Sequence, residues 1–174
     1  MGCMGEPGIN DFERADQKQK EIRDRLLKPF YAQRSTEGRY IFADKGKLAT
    51  ILQKELAVDT IMQKEKGHII SVEEKIIFWP GYPHIYFVLE INSCTVSGYE
   101  KKGWMYTAQC DILLICFLQK DDKAIIAYPI PFSKLQKWFF ENDRYLQFKS
   151  TITDQINHSE CKKVPIGKII KLFP

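Results

Sequence analysis

Three side chains have the types and spacing to act on a phosphodiester: Asp59, Glu73 and Lys75. Alternate residues of a strand share a face, so Glu73 and Lys75 point the same way, while Glu74 points opposite with Val72 and Ile76. Asp59 lies upstream of the turn signal Lys66-Gly67. That signal predicts a β-hairpin and brings Asp59 toward Glu73 across the ladder. Two carboxylates at such range repel and raise each other's pKa unless a cation sits between them. Mg2+ or Mn2+ takes hard oxygen ligands and keeps several waters, so two protein carboxylates and a substrate phosphate suffice to hold it. A bound ion acidifies water and stabilises charge on phosphoryl oxygens, and a neighbouring lysine orients the water or neutralises developing charge. The pattern thus assigns Asp59 and Glu73 as metal ligands and Lys75 as their cationic helper. Taken alone, Glu-x-Lys is more often a solvated strand face with a weak ion pair.

Glu90 is the next candidate, a lone acid in an apolar run that is expected to lie beside Glu73 in the sheet. A buried carboxylate is costly unless it is paired or binds metal, so Glu90 is read as a further ligand or a partner of Lys75, against an edge position facing water or a structural pair with another Arg or Lys. Glu13 and Asp16 flank the apolar stripe of the first helix and compete with Glu21 and Asp24 for a helical acid near the site. Lys18, Lys20, Arg23, Arg25 and Lys28, and the C-terminal Lys162, Lys163, Lys168 and Lys171, could contact phosphates. Trp79, Tyr82 and Tyr86 could stack bases. His68, His84 and His158 show no metal or triad spacing, and the chain has no Gly-rich phosphate loop.

The elements that must position these groups follow from hydrophobic period. Phe12, Ala15, Gln19, Ile22 and Leu26 predict a helix over 11–30, ended by Pro29. A second helix fits 44–54, with Leu48, Ile51 and Leu52 as its buried stripe. Strands are expected over 56–65, 68–78, 84–92, 111–119 and 123–128, with a turn at Asp121-Asp122. The run 111–119 is nearly all apolar and suits a sheet covered on both faces. A helix over 131–142 and a tail of short strands and loops complete the chain. This order predicts one α/β domain over 10–174, a mixed central β-sheet flanked by helices, preceded by a flexible tail over 1–9.

With 174 residues and 44% hydrophobic content, the chain has the means to build a core. A net charge of +4 permits a nucleic-acid partner without demanding one. The five cysteines form no CxxC pair, which argues for free thiols in a reducing cytoplasm, with Cys110 and Cys116 as small core residues. No apolar stretch reaches the length of a membrane span.

These residues resemble the PD-(D/E)xK nuclease superfamily, which includes restriction enzymes and Holliday junction resolvases. Its domains place an acid on an early helix, an Asp on one strand and (D/E)xK on the next; here these are Asp59 and Glu73-Glu74-Lys75. Leu52-Gln53 through Val58-Asp59, then Phe87-Val88-Leu89-Glu90 and Gly103-Trp104, are similar to small phage and mobile-element proteins of that superfamily. The chain departs from the pattern in having Val58 where Pro precedes the Asp, and Leu56-Ala57 where a Gly is usual. Thr107 and Asp111 are also spaced too widely for the threonine-aspartate pair. The resemblance implies a restriction-endonuclease-like fold and a Mg2+- or Mn2+-dependent nuclease acting on DNA, with RNA the second choice. It is consistent with a homodimer, since one such domain cuts one strand at a time. The rival expectation is a catalytically inactive protein of the same fold that binds nucleic acid or protein, for example an inhibitor from a mobile element.

Overall fold

The computed structural model describes residues 17, 20–43, 46–77, 86–94, 100–118, 125–142, 151–153 and 159–173. Glu13, Asp16, Trp79, Tyr82, Asp121-Asp122, His84 and the 1–9 tail fall outside them. The fold is mixed α/β, with two sheets.

The first helical segment passes through a π-turn, Arg23–Leu27, into α1, Lys28–Arg34. It therefore runs past Pro29, where the sequence predicts an end. Proline lacks an N–H and its ring clashes with the carbonyl one turn back. The wider turn just upstream, closed by the Lys28 N–H on the Arg23 carbonyl, opens the helix where that clash would fall. Next come β1, Tyr40–Phe42, and α2, Gly46–Glu55. Ile51 is 46% exposed, so it is not part of a buried stripe; Leu52 packs against the core.

The predicted hairpin is present as β2, Thr60–Gln63, and β3, Ile69–Ile77, joined by a tight turn in which Lys66 and Gly67 both have positive φ. Then follow β4, Tyr86–Cys94, and the two-residue β5, Lys101–Lys102. After them come a four-residue helix α3, Trp104–Thr107, and β6, Ile112–Leu118. The chain continues as β7, Ile125–Pro131, α4, Phe132–Asn142, β8, Thr151–Thr153, β9, Glu160–Pro165, and α5, Ile166–Leu172. The expectation of only strands and loops after residue 145 is corrected by α5. Its seven residues hold Gly167 and three isoleucines, a composition that gives little helical signal.

The five-stranded sheet has the order β1-β2-β3-β6-β7, antiparallel except for the parallel β3/β6 pair. The second sheet, β5-β4-β9-β8, is antiparallel throughout. One core joins the sheets: Leu113, Ile115 and Phe117 of β6 pack with Phe87, Leu89 and Ile91 of β4, Val164 of β9, and Phe132, Leu135 and Phe139 of α4. On the other face of β6, Leu114 and Cys116 pack with Val72, Met62, Leu27 and Tyr31. The strand is thus covered on both sides, as its unbroken apolar run requires.

Candidate active site

The parallel register sets the two faces of β3. Glu73 pairs with Leu113 and Lys75 with Ile115, on the side of the large core; Glu74 pairs with Leu114 and Ile76 with Cys116, on the helix side. Both glutamates are buried, Glu73 at 6% and Glu74 at 3% exposure. The Lys75 ammonium forms a close ion pair with Glu73 Oε1 and lies 5.2 Å from the centroid of the Trp104 ring.

Asp59 stands at the mouth of β2, between the two faces. Its N–H donates to the Val72 carbonyl at 2.8 Å, and its Oδ2 accepts from the Glu74 N–H at 2.8 Å. Its Oδ1 lies 3.5 Å from Arg23 Nη2, and its carboxyl group is within side-chain hydrogen-bonding reach of Glu73. Asp59, Glu73 and Lys75 therefore converge. The turn that delivers Asp59 has Ala57 at φ 49°, the left-handed backbone for which glycine is suited.

On the helix side Glu74 is saturated. It accepts from Arg23 Nε at 3.0 Å, Tyr31 Oη at 2.9 Å and Thr60 Oγ1 at 2.6 Å. Burial raises the Glu74 carboxyl above its ordinary range, opposed by Arg23. Burial works against the Arg23 charge, but Glu74 and Asp59 outweigh it and hold its pKa above the usual value. Arg23 is thus bound up inside the protein and is not a surface contact for phosphate. Glu21 and Asp24 make i,i+4 pairs with Arg25 and Lys28 on the exposed side. The described part of the early helix therefore sends a base, and no acid, to the site.

Glu73 has a different environment. Burial pushes its carboxyl up to about 8; Lys75 opposes this and Asp59 adds to it. Among the described residues of this cluster, three carboxylates, Asp59, Glu73 and Glu74, face two cations, Arg23 and Lys75. The shortfall is met by a proton on Glu73 or by an added cation. Asp59 and Glu73 supply the hard oxygen donors that Mg2+ or Mn2+ prefers, so the residues fit such an ion. Among the described residues no group of three or more His, Cys, Asp or Glu side chains is placed to hold a metal. Two carboxylates leave the remaining positions to water and substrate oxygens.

Glu90 does not lie beside Glu73 in a sheet, which corrects the expectation: β4 belongs to the second sheet and pairs with β5 and β9. Glu90 instead accepts from the Trp104 N–H at 3.3 Å, so it anchors the residue that Lys75 rests on. Gly103 explains the Gly-Trp pair. A Cβ there would sit 2.5 Å from the Glu90 carbonyl oxygen and 2.8 Å from Glu90 Cγ, too close for any side chain. Asp111 clamps the start of the parallel pair, accepting from Ser71 N–H and Oγ at 2.8 and 2.7 Å. Cys110 is buried, and burial, with Glu73 adding, pushes its thiol up to about 12, which keeps it from acting as a thiolate nucleophile.

The Glu74 network was invisible to sequence reasoning because Arg23, Tyr31 and Thr60 are 51, 43 and 14 residues from Glu74. Trp104 had a signal, the Gly-Trp pair, but nothing in the spacing tied it to Lys75. No helix among the described residues is long and apolar enough to cross a membrane. No protein-family model, no curated protein and no solved structure matches this chain.

Proposed function

We propose that the protein is a divalent-metal-dependent nuclease that hydrolyses phosphodiester bonds, with DNA favoured over RNA. The observation that carries this reading is the meeting of Asp59, Glu73 and Lys75 around a buried carboxyl group for which, among the described residues, acids outnumber cations. The layout supports it: an Asp entering β2 and Glu-x-Lys on the adjacent β3 match the restriction-endonuclease-like pattern. Asp59 and Glu73 hold Mg2+ or Mn2+. When bound, the ion acidifies water and stabilises charge on the phosphoryl oxygens. Arg23 and the Glu74 N–H orient Asp59. Trp104 and Glu73 fix the Lys75 ammonium, which orients the attacking water and faces the charge developing on phosphate. Glu90 acts at one remove, by holding Trp104. The reading extends to a cytoplasmic homodimer of mobile-element type in which each copy cuts one strand.

The test is cleavage of plasmid and short oligonucleotides with Mg2+, Mn2+ or EDTA. Cleavage is expected with either metal and not with EDTA, and it should drop by on the order of 100-fold or more in Glu73→Ala and Lys75→Ala. Activity that survives both substitutions sinks the assignment.

One observation favours a second reading, a non-catalytic nucleic-acid- or protein-binding module of the same fold. Arg23 already sits against Asp59, a cation where the resembling enzymes bring an acid. Wild-type protein that binds DNA in a salt-sensitive, metal-independent way and never cuts it would establish that reading instead.

A further inference from the structure

Lys75 rests on Trp104, and two residues along the same short helix an aromatic ring is turned outward. Tyr106 is 41% exposed, and so is Phe140 of α4 at 44%. Their ring centroids are 5.1 Å apart with the planes tilted by 48°. The Lys102 ammonium lies 5.0 Å from the Tyr106 centroid.

The pair is firmly mounted. The Gly103 N–H donates to the Ile91 carbonyl at 2.6 Å, which ties α3 to β4. Gln136 Nε2 donates to the Met105 carbonyl at 2.9 Å, which ties α3 to α4. Phe140 packs edge-on against the buried Phe139. Exposed Lys101 and Lys102 give the surroundings positive charge, with Glu100 the nearest acid in sequence; on α4, Lys137 pairs with Glu141 at 3.9 Å and adds no net charge.

We propose that Tyr106, Phe140 and Lys102 form a platform on which an unpaired nucleobase of a nucleic-acid strand stacks, carried in part by the short helix that also holds Trp104. The ligand class rests on the nuclease reading. Every base has a π-face, so an aromatic pair accepts one without regard to sequence, and a flanking ammonium meets the adjoining phosphate. Within a duplex both faces of a base are covered by its neighbours, so the platform selects single-stranded or opened segments.

The experiment uses the full chain in EDTA, so that binding is read without cleavage. The probe is a short thymidine oligonucleotide carrying one 2-aminopurine, followed by anisotropy and by the emission of the modified base. Wild type should bind the strand and quench the emission. Tyr106→Ala and Phe140→Ala should each weaken binding by roughly tenfold and relieve the quenching, with the salt slope unchanged. Tyr106→Trp should restore both. Lys102→Ala should keep the quenching and lower the slope of log K against log salt by about 1. Equal binding and quenching in the double alanine variant, with its circular dichroism intact, would overturn the proposal. So would a double variant that changes self-association by sedimentation while leaving strand binding untouched, because the patch would then be a contact between proteins. Cleavage with Mg2+ separates the two readings. Cutting without quenching removes the platform and leaves the nuclease. Quenching without cutting keeps the platform on a non-catalytic fold.

Discussion

Glu73 and Glu74 are neighbours on one strand, both buried, yet their surroundings differ in kind. Glu74 accepts from a guanidinium, a phenol and a hydroxyl, each from a different element. Glu73 has Lys75 as its cation and a second carboxyl group beside it. A fully satisfied buried charge fixes packing, whereas an under-satisfied one in a perturbed environment marks a candidate functional group. The strand's alternation thus sorts two identical side chains into a structural acid and a candidate ligand. Asp59 joins the two sides, accepting from the Glu74 N–H and meeting the Glu73 carboxyl.

The largest effect that could break this contrast is on stability. Glu74→Ala leaves Arg23 buried without its main partner and should cost about 3–5 kcal/mol in urea denaturation. Glu73→Gln removes a charge that burial already disfavours, so it should leave stability level or raise it while abolishing cleavage. Equal destabilisation by the two substitutions would erase the distinction between the faces.

A smaller effect follows from the Glu73 proton. Its carboxyl is raised from an ordinary 4.5 to about 8. Between those values the folded protein keeps a proton that the unfolded chain has released. This group's contribution to stability is therefore most favourable below pH 4.5, falls as pH rises through the window, and levels off above about 8. A divalent cation bound as proposed would supply positive charge at Glu73 and should reverse the loss. At a hundredfold excess over its Kd the gain is about 2.7 kcal/mol. Melting curves across the window with EDTA or Mg2+ check this, and Glu73→Gln should show neither this slope nor the Mg2+ response. Next in size, Tyr31→Phe removes one of three donors to Glu74 and should cost about 1–2 kcal/mol without changing the Mg2+ response.

Much of this was legible in the sequence where the physics is local. Period-two patterning with Lys66-Gly67 located the hairpin, and alternation separated Glu73 from Glu74. The unbroken apolar run marked β6 as covered on both faces. What could not be read depends on pairings distant along the chain. Glu90 lies in an apolar strand, but nothing local says which sheet that strand joins; β9, some seventy residues on, decides it. Arg23 looks like one of many bases on a charged helix until the fold sets it against Glu74 and Asp59. Pro29 reads as a helix end unless the π-turn before it is known.

The smallest effect tests how Asp59 is held between the two faces. Ala57 has φ 49°, a left-handed backbone that costs a residue with a Cβ about 1–2 kcal/mol. Glycine has no such cost there, but its extra freedom in the unfolded chain returns about 0.5–1 kcal/mol. Losing a half-buried methyl, packed against the core, trims the gain further. Ala57→Gly should therefore stabilise by about 0.5 kcal/mol or slightly less, and Ala57→Val, with a branched side chain in the same backbone, should destabilise by more than about 1 kcal/mol. Opposite signs in thermal melts would confirm that the turn is strained. Cleavage then gives the finer reading. If Ala57→Gly cuts as well as wild type, the turn only has to reach the left-handed region. If it folds better and cuts worse, the rigidity that alanine gives this turn is part of what keeps Asp59 against Glu73.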